Sequence, residues 1–132
     1  MNVPLVVAGS LALVGAGIHG IAGEVFVVRR LSPTTLPGSR FGGPVTTLTM
    51  IRASWHMATI AFVAVGSALL LSGSVVHGDI ARGMSLVAAC AASGFAALAV
   101  VGAASKSPRS LFRHPAPALL TAVAVLAWSG IA

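Results

Sequence analysis

Four stretches nearly empty of charge, each about as long as a bilayer is thick, take up most of this 132-residue chain. A hydrocarbon core of about 30 Å needs about 20 apolar residues per helical span. The stretches run roughly from Val3 to Val28, Leu48 to Leu71, Gly83 to Ala104 and Pro115 to Ala132. Uniformly apolar runs of this length read as transmembrane helices. The expected fold is all-α: a polytopic membrane protein whose single domain, 1–132, is a four-transmembrane-helix bundle with little chain left for a soluble appendage. A mean hydropathy of +1.00 with only 8% charged residues agrees, lying well outside the range of ordinary soluble domains.

The few charges are placed unevenly. Arg29, Arg30, Arg40 and Arg52 lie in or beside the first connection, and Lys106, Arg109 and Arg113 in the third, whereas the second has only Arg82 against Asp79. By the positive-inside rule, loops one and three face the cytoplasm, and both termini and the second loop face outward, in the cell membrane of a bacterium. The net charge of +6 does not point to nucleic acid, because the basic residues are neither spread over a face nor clustered with aromatics as such binding needs. The first apolar segment lacks a basic n-region and is followed by its charges, so it reads as a retained helix instead of a cleaved signal. The single cysteine, Cys90, falls in the third span as a small packing residue, and no disulfide or multi-cysteine metal cage is available.

Small residues organise the spans. Ala8, Ala12, Ala16 and Gly20 form a ridge at four-residue spacing on the first helix, which lets another helix approach closely. The third span, rich in Ala, Gly, Ser and Val, reads as packing scaffold. The fourth opens at His114-Pro115, where proline suits a first helical turn. Ser32-Pro33, Leu36-Pro37-Gly38 and Gly42-Gly43-Pro44 make the first connection an irregular loop of about twenty residues, the length of a lid or binding loop.

Against this background, five polar and aromatic residues carry most of the chemical potential: His19 and Glu24 on the first span, Arg52, Trp55 and His56 on the second. An acid inside a span is costly unless paired, protonated or wetted, so Glu24 asks for a compensating role. With the first helix ending near Val28 and the second starting near Leu48, Glu24 and Arg52 each lie roughly 6 Å from the cytoplasmic edge, and His19 and His56 roughly 12 to 13 Å. The two pairs therefore match in depth. Arg52 and His56 share a helix face, but His19 and Glu24 are five apart and diverge by roughly 140°, so one points away or the helix is distorted near Gly20 and Gly23. Each feature also has a plainer reading: a structural Glu24–Arg52 ion pair, histidines that merely pack, and Trp55 as an interfacial anchor. His77 and Asp79 are expected in solvent on the short second turn. Arg29, Arg30, Arg109 and Arg113 set topology and contact headgroups, or together hold an anionic substrate group.

The chain resembles a group of small bacterial four-helix membrane proteins at three places: His19-Gly20-Ile21-Ala22-Gly23-Glu24, Arg52-Ala53-Ser54-Trp55-His56 and Arg113-His114-Pro115. This resemblance covers most of the chain. The size, the Ala/Gly/Val-rich composition and the embedded Glu are also similar to the small integral-membrane terpene cyclases of bacterial indole and cyclodipeptide terpenoid pathways. That second resemblance implies proton-initiated cyclisation of a prenyl chain without loss of diphosphate. No Asp-rich motif for Mg²⁺-diphosphate binding is present. The departure is in aromatics, since the spans offer only Trp55, Trp128 and a few Phe such as Phe26 and Phe62 to shelter a carbocation.

One carboxyl, two imidazoles and an arginine in an apolar cavity suit acid–base chemistry on a lipid-like substrate, since such a cavity keeps a carboxyl's proton available for an alkene or epoxide. The expected catalytic residues are Glu24 as acid, with His19 and His56 tuning or relaying its proton. Arg52, Trp55, Arg29 and Phe26 are the expected substrate contacts, with no metal and no cofactor. No serine elbow and no second acid signal a hydrolytic triad. The expected partners are a lipophilic prenylated small molecule and membrane lipids, with a homo-oligomer open. The alternative is a non-enzymatic membrane subunit, or a bundle in which His19 and His56 ligate haem between two helices.

Overall fold

The computed structural model describes residues 1–105, 107 and 109–132, with the side chains of Ser110 and Phe112 left out. Lys106, one of the basic residues assigned to the third connection, lies outside the described residues. The described chain is all-helical, without strands. Helix α1 spans Val3–Arg30, α2 Pro44–Ser74, α3 Gly78–Ala104 and α4 Pro115–Ser129, with a short turn of helix at Ser110–Arg113 before α4. The first three are long and apolar enough to cross a membrane, which marks a membrane protein. The fourth, at 15 residues, is a shorter apolar helix of about 22 Å.

Helix ends fall where local chemistry puts them rather than where hydropathy changes. α2 starts at Pro44, with proline's missing N–H in the first turn. A 3₁₀ turn at Val28–Arg30 prolongs α1, so the first connection narrows to 31–43. The second connection is tighter still, because α2 runs on to Ser74 and α3 begins at Gly78. Asp79 sits in the first turn of α3, where its charge complements the helix dipole, and His77 beside it is exposed. The His114 ring accepts from the Ala116 N–H at 3.2 Å and caps α4, with Pro115 in its first turn.

The chain divides into two compact units, Met1–Gly15 with Val63–Ala132, and Ala16–Phe62. The first is a helical bundle whose core is built mainly of alanine: Ala8 and Ala12 of α1, Ala88, Ala89, Ala92 and Ala96 of α3, and Ala124 and Ala127 of α4, around Leu5, Leu69 and Val123. Glycines decide how close its helices come. A Cβ on Gly9 would lie 2.5 Å from the Leu70 backbone nitrogen and 2.7 Å from the Gly66 carbonyl oxygen, so α1 and α2 touch backbone to backbone there. Asn2 ties the same unit to Gly130 through its side-chain amide, at 2.6 Å, and Trp128 of α4 donates to Ser93 of α3 at 3.0 Å. Large apolar side chains such as Val87, Leu98 and Val125 point outward, as a lipid solvent allows. Cys90 corrects the sequence expectation: it is exposed and does not serve as packing, because the buried stripe of α3 runs through 85, 88, 89, 92 and 96.

Candidate functional site

The second unit, Ala16–Phe62, is the end of α1, the connection and the start of α2, and it holds every residue of the predicted site. Its local fold turns on a distortion of α1. Over Ile18–Ala22 the helix is π-helical, each turn taking in an extra residue. Residues five apart then return towards one face instead of diverging, and both His19 and Glu24 meet α2. The helical period alone offered either a residue turned away or a bend near Gly20 and Gly23, and the chain takes the second course.

Two glycines make the meeting close. A Cβ on Gly23 would stand 2.3 Å from Cζ2 of the Trp55 indole, and one on Gly20 would stand 2.9 Å from Thr59 Cγ2. Neither position admits a side chain unless Trp55 or Thr59 shifts. The His19-Gly-Ile-Ala-Gly-Glu24 run is thus a polar pair separated by a backbone groove into which Trp55 and Thr59 fit.

Two polar groups result. In the first, Glu24 Oε1 lies 3.5 Å from Arg29 Nε and 3.4 Å from Arg52 Nη2, and Oε2 lies 3.4 Å from His56 Nε2. The carboxyl is largely enclosed, with 17% of its side chain exposed, whereas Arg52 and His56 are nearly half exposed and Arg29 more so. Oε2 itself is buried without a hydrogen bond. In the second group the His19 and Trp55 rings are stacked, 4.3 Å between centroids and 9° from parallel, and Phe62 meets the imidazole edge-on at 5.2 Å. The Trp55 indole N–H donates to the His19 carbonyl at 3.1 Å. His19 Nδ1 lies 2.9 Å from Thr59 Oγ1, whose hydroxyl donates to the Trp55 carbonyl at 3.2 Å.

His19 and His56, level in depth from the sequence, therefore engage different partners: one imidazole belongs with Trp55 and Thr59, the other with Glu24. Phe26 stands apart, exposed, with the Arg30 guanidinium 6.0 Å above its ring. Sequence reasoning missed Thr59 and the pairing of Arg29 with Glu24. Thr59 was findable, being four residues beyond Trp55 and seven beyond Arg52, on the stripe that faces α1. Arg29 was not, because a contact five residues away has no place on a regular helix.

Beside the second group an open cleft of about 540 Å³ is lined by His19, Trp55 and the apolar side chains of Met50, Ile51 and Ala58. The connection contributes Ser39 to its lining, and Thr47 of α2 is fastened to the connection by its hydroxyl, which donates to the Pro37 carbonyl at 2.9 Å. Gly42 at φ +158° makes the turn that Ser39 brackets, a backbone conformation that favours glycine. Chemically, the unit combines a carboxyl that shares its two oxygens among three bases with an imidazole at the wall of an apolar cleft. Comparison with protein-family models, with curated proteins and with solved structures found no match for this chain.

Proposed function

We propose that this protein is a membrane-embedded acid–base enzyme that protonates and cyclises, or isomerises, an isoprenoid-bearing substrate taken from the bilayer. The observation that carries the reading is Glu24 Oε2, buried, without a hydrogen bond, and 3.4 Å from His56 Nε2. A buried carboxylate oxygen left unpaired is costly, and a proton held between Oε2 and Nε2 removes that cost. Glu24 and His56 are then a proton store, with Arg29 and Arg52 restraining the carboxyl through its other oxygen. In the reaction the proton leaves Glu24 and bonds to an alkene carbon through the alkene's π pair, leaving a tertiary cation. A second alkene closes the ring with its own π pair, and the final cation returns a proton to the carboxylate or to His56. The balance is an isomerisation that consumes nothing. Trp55 offers its ring to the developing positive charge, and His19 orients the substrate beside it. In this reading all four helices cross a bacterial cell membrane, the bilayer thinning locally around the short α4, with connections one and three inside and both termini outside.

Membranes carrying the wild type should convert a prenylated indole or cyclodipeptide to a cyclised product of equal mass. Glu24→Gln should lower the rate by about 100-fold or more, since an amide keeps the shape but supplies no proton of suitable acidity. Adding Arg52→Gln should restore part of any lost stability and none of the activity, because it removes an unpaired charge. An active Glu24→Gln protein would overturn the acid assignment. For the orientation, with Cys90 replaced by Ala, a cysteine at position 76 should label from outside intact cells and one at Thr35 should not. The opposite pattern would invert the topology.

A further inference from the structure

The cleft beside His19 is unusual in how its hydrogen-bond donors are spent. Thr59 has one hydroxyl proton, and it goes to the Trp55 carbonyl. Its contact with His19 Nδ1 at 2.9 Å is then met by the tautomer that carries the ring proton on Nδ1 and leaves Nε2 as an acceptor. The Trp55 indole N–H is consumed by the His19 carbonyl, and the Thr47 hydroxyl proton by the Pro37 carbonyl. Ser39 donates to the Gly42 carbonyl at 3.4 Å and accepts from the Phe41 N–H at 3.3 Å. Among the described lining residues, only the Ser54 hydroxyl retains a proton free to donate. The guanidinium groups of Arg29 and Arg52, rich in donors, line no part of the cleft. The lining is therefore an apolar wall with acceptors on His19, Thr47 and Ser39, one free hydroxyl donor on Ser54, and no cation among its described residues.

We infer that this cleft binds a neutral, largely apolar molecule through a hydrogen-bond donor of its own, a hydroxyl or an amide or indole N–H, received by His19 Nε2, and that Thr59 is the positioning residue that sets His19 to receive it. An anionic head such as a phosphate is disfavoured, since the described lining offers it one hydroxyl donor, Ser54, and no cation. The inference rests on the proposed enzymatic reading for the identity of the ligand as substrate, but the selectivity is a property of the cleft with or without turnover.

The test uses the full chain in nanodiscs with Trp128→Phe, so that Trp55 is the only indole, and reads its fluorescence against farnesol, farnesyl methyl ether and farnesyl phosphate, with affinities expressed per mole fraction in the bilayer. Farnesol should bind about tenfold more tightly than the ether, the worth of one hydrogen bond, and more tightly than the phosphate. Thr59→Val should bring the ratio of farnesol to ether close to one, and Thr59→Ser should restore it. Nitrogen-15 NMR of His19 should show a protonated Nδ1 and a bare Nε2 in the wild type. Equal binding of alcohol and ether, preference for the phosphate, binding of none of the three, or a proton on Nε2 would each overturn the inference. A protein that discriminates as expected yet converts no substrate would leave this inference standing and remove the enzymatic reading.

Discussion

The two units of this molecule use the same small residues to opposite ends. In Met1–Gly15 with Val63–Ala132, absent Cβ atoms bring backbone against backbone: Gly9 meets Gly66 and Leu70, and Gly73 meets Leu5 and Val6. In Ala16–Phe62, Gly20 and Gly23 instead admit side chains, Thr59 and the Trp55 indole, against the α1 backbone. Burial follows the same division. Only Ala16 and Val28 of the buried hydrophobic residues belong to the second unit, whereas the ion pairs of Glu24 and the stacked rings of His19 and Trp55 are there. One unit is held by close contact between helices, and the other trades packing for polar groups presented from enlarged gaps. Van der Waals contact is the main force between helices in lipid, so the first arrangement gives stability and the second gathers the polar side chains.

Glycine-to-alanine substitutions test this comparison most directly. Gly9→Ala should be the most damaging, at about 3 kcal/mol, because the new methyl meets main chain that cannot rotate away. Unfolding of the purified protein in mixed micelles measures it, and a loss below about 1 kcal/mol would show that the helices are free to separate. Gly23→Ala should cost less, about 1 to 2 kcal/mol, since an indole can tilt where a backbone cannot. Its mark should be a shift in Trp55 emission and loss of the stacked His19 ring, and a stability loss without any spectral change would mean that Trp55 is not seated in the gap. Gly17→Ala should do least. It has nothing within 4 Å of the added carbon, so the change should lie within about 0.5 kcal/mol of the wild type and lean towards stabilisation through helix propensity.

How far the site could be seen beforehand varies by residue. Glu24 announced itself as the one acid within the apolar spans, and depth counting set it level with Arg52, 3.4 Å away in the fold. The same counting set His19 level with His56 but said nothing of which neighbour each ring takes. That depends on a π turn over Ile18–Ala22, and a hydropathy pattern carries no trace of a change in residues per turn when nearly every residue in the segment is small or apolar. The glycines at 20 and 23 were visible as places where distortion is easy. Their use, as seats for Thr59 and Trp55, was not visible, since it needs the partner helix in position.

Composition and charge-free length by themselves determined that the chain is helical and belongs in a membrane, because a span of lipid makes the same demand on every residue along it and the demand can be read one residue at a time. The tertiary structure alone decided which face of α3 is core and so left Cys90 outside, which three basic side chains gather round Glu24, and that His19 takes Trp55 and Thr59 while His56 takes Glu24. Those outcomes rest on distances between helices set to within an ångström by where a Cβ is missing, and on side chains that find their partners only across the gap between two helices. Neither constraint acts until the helices have met.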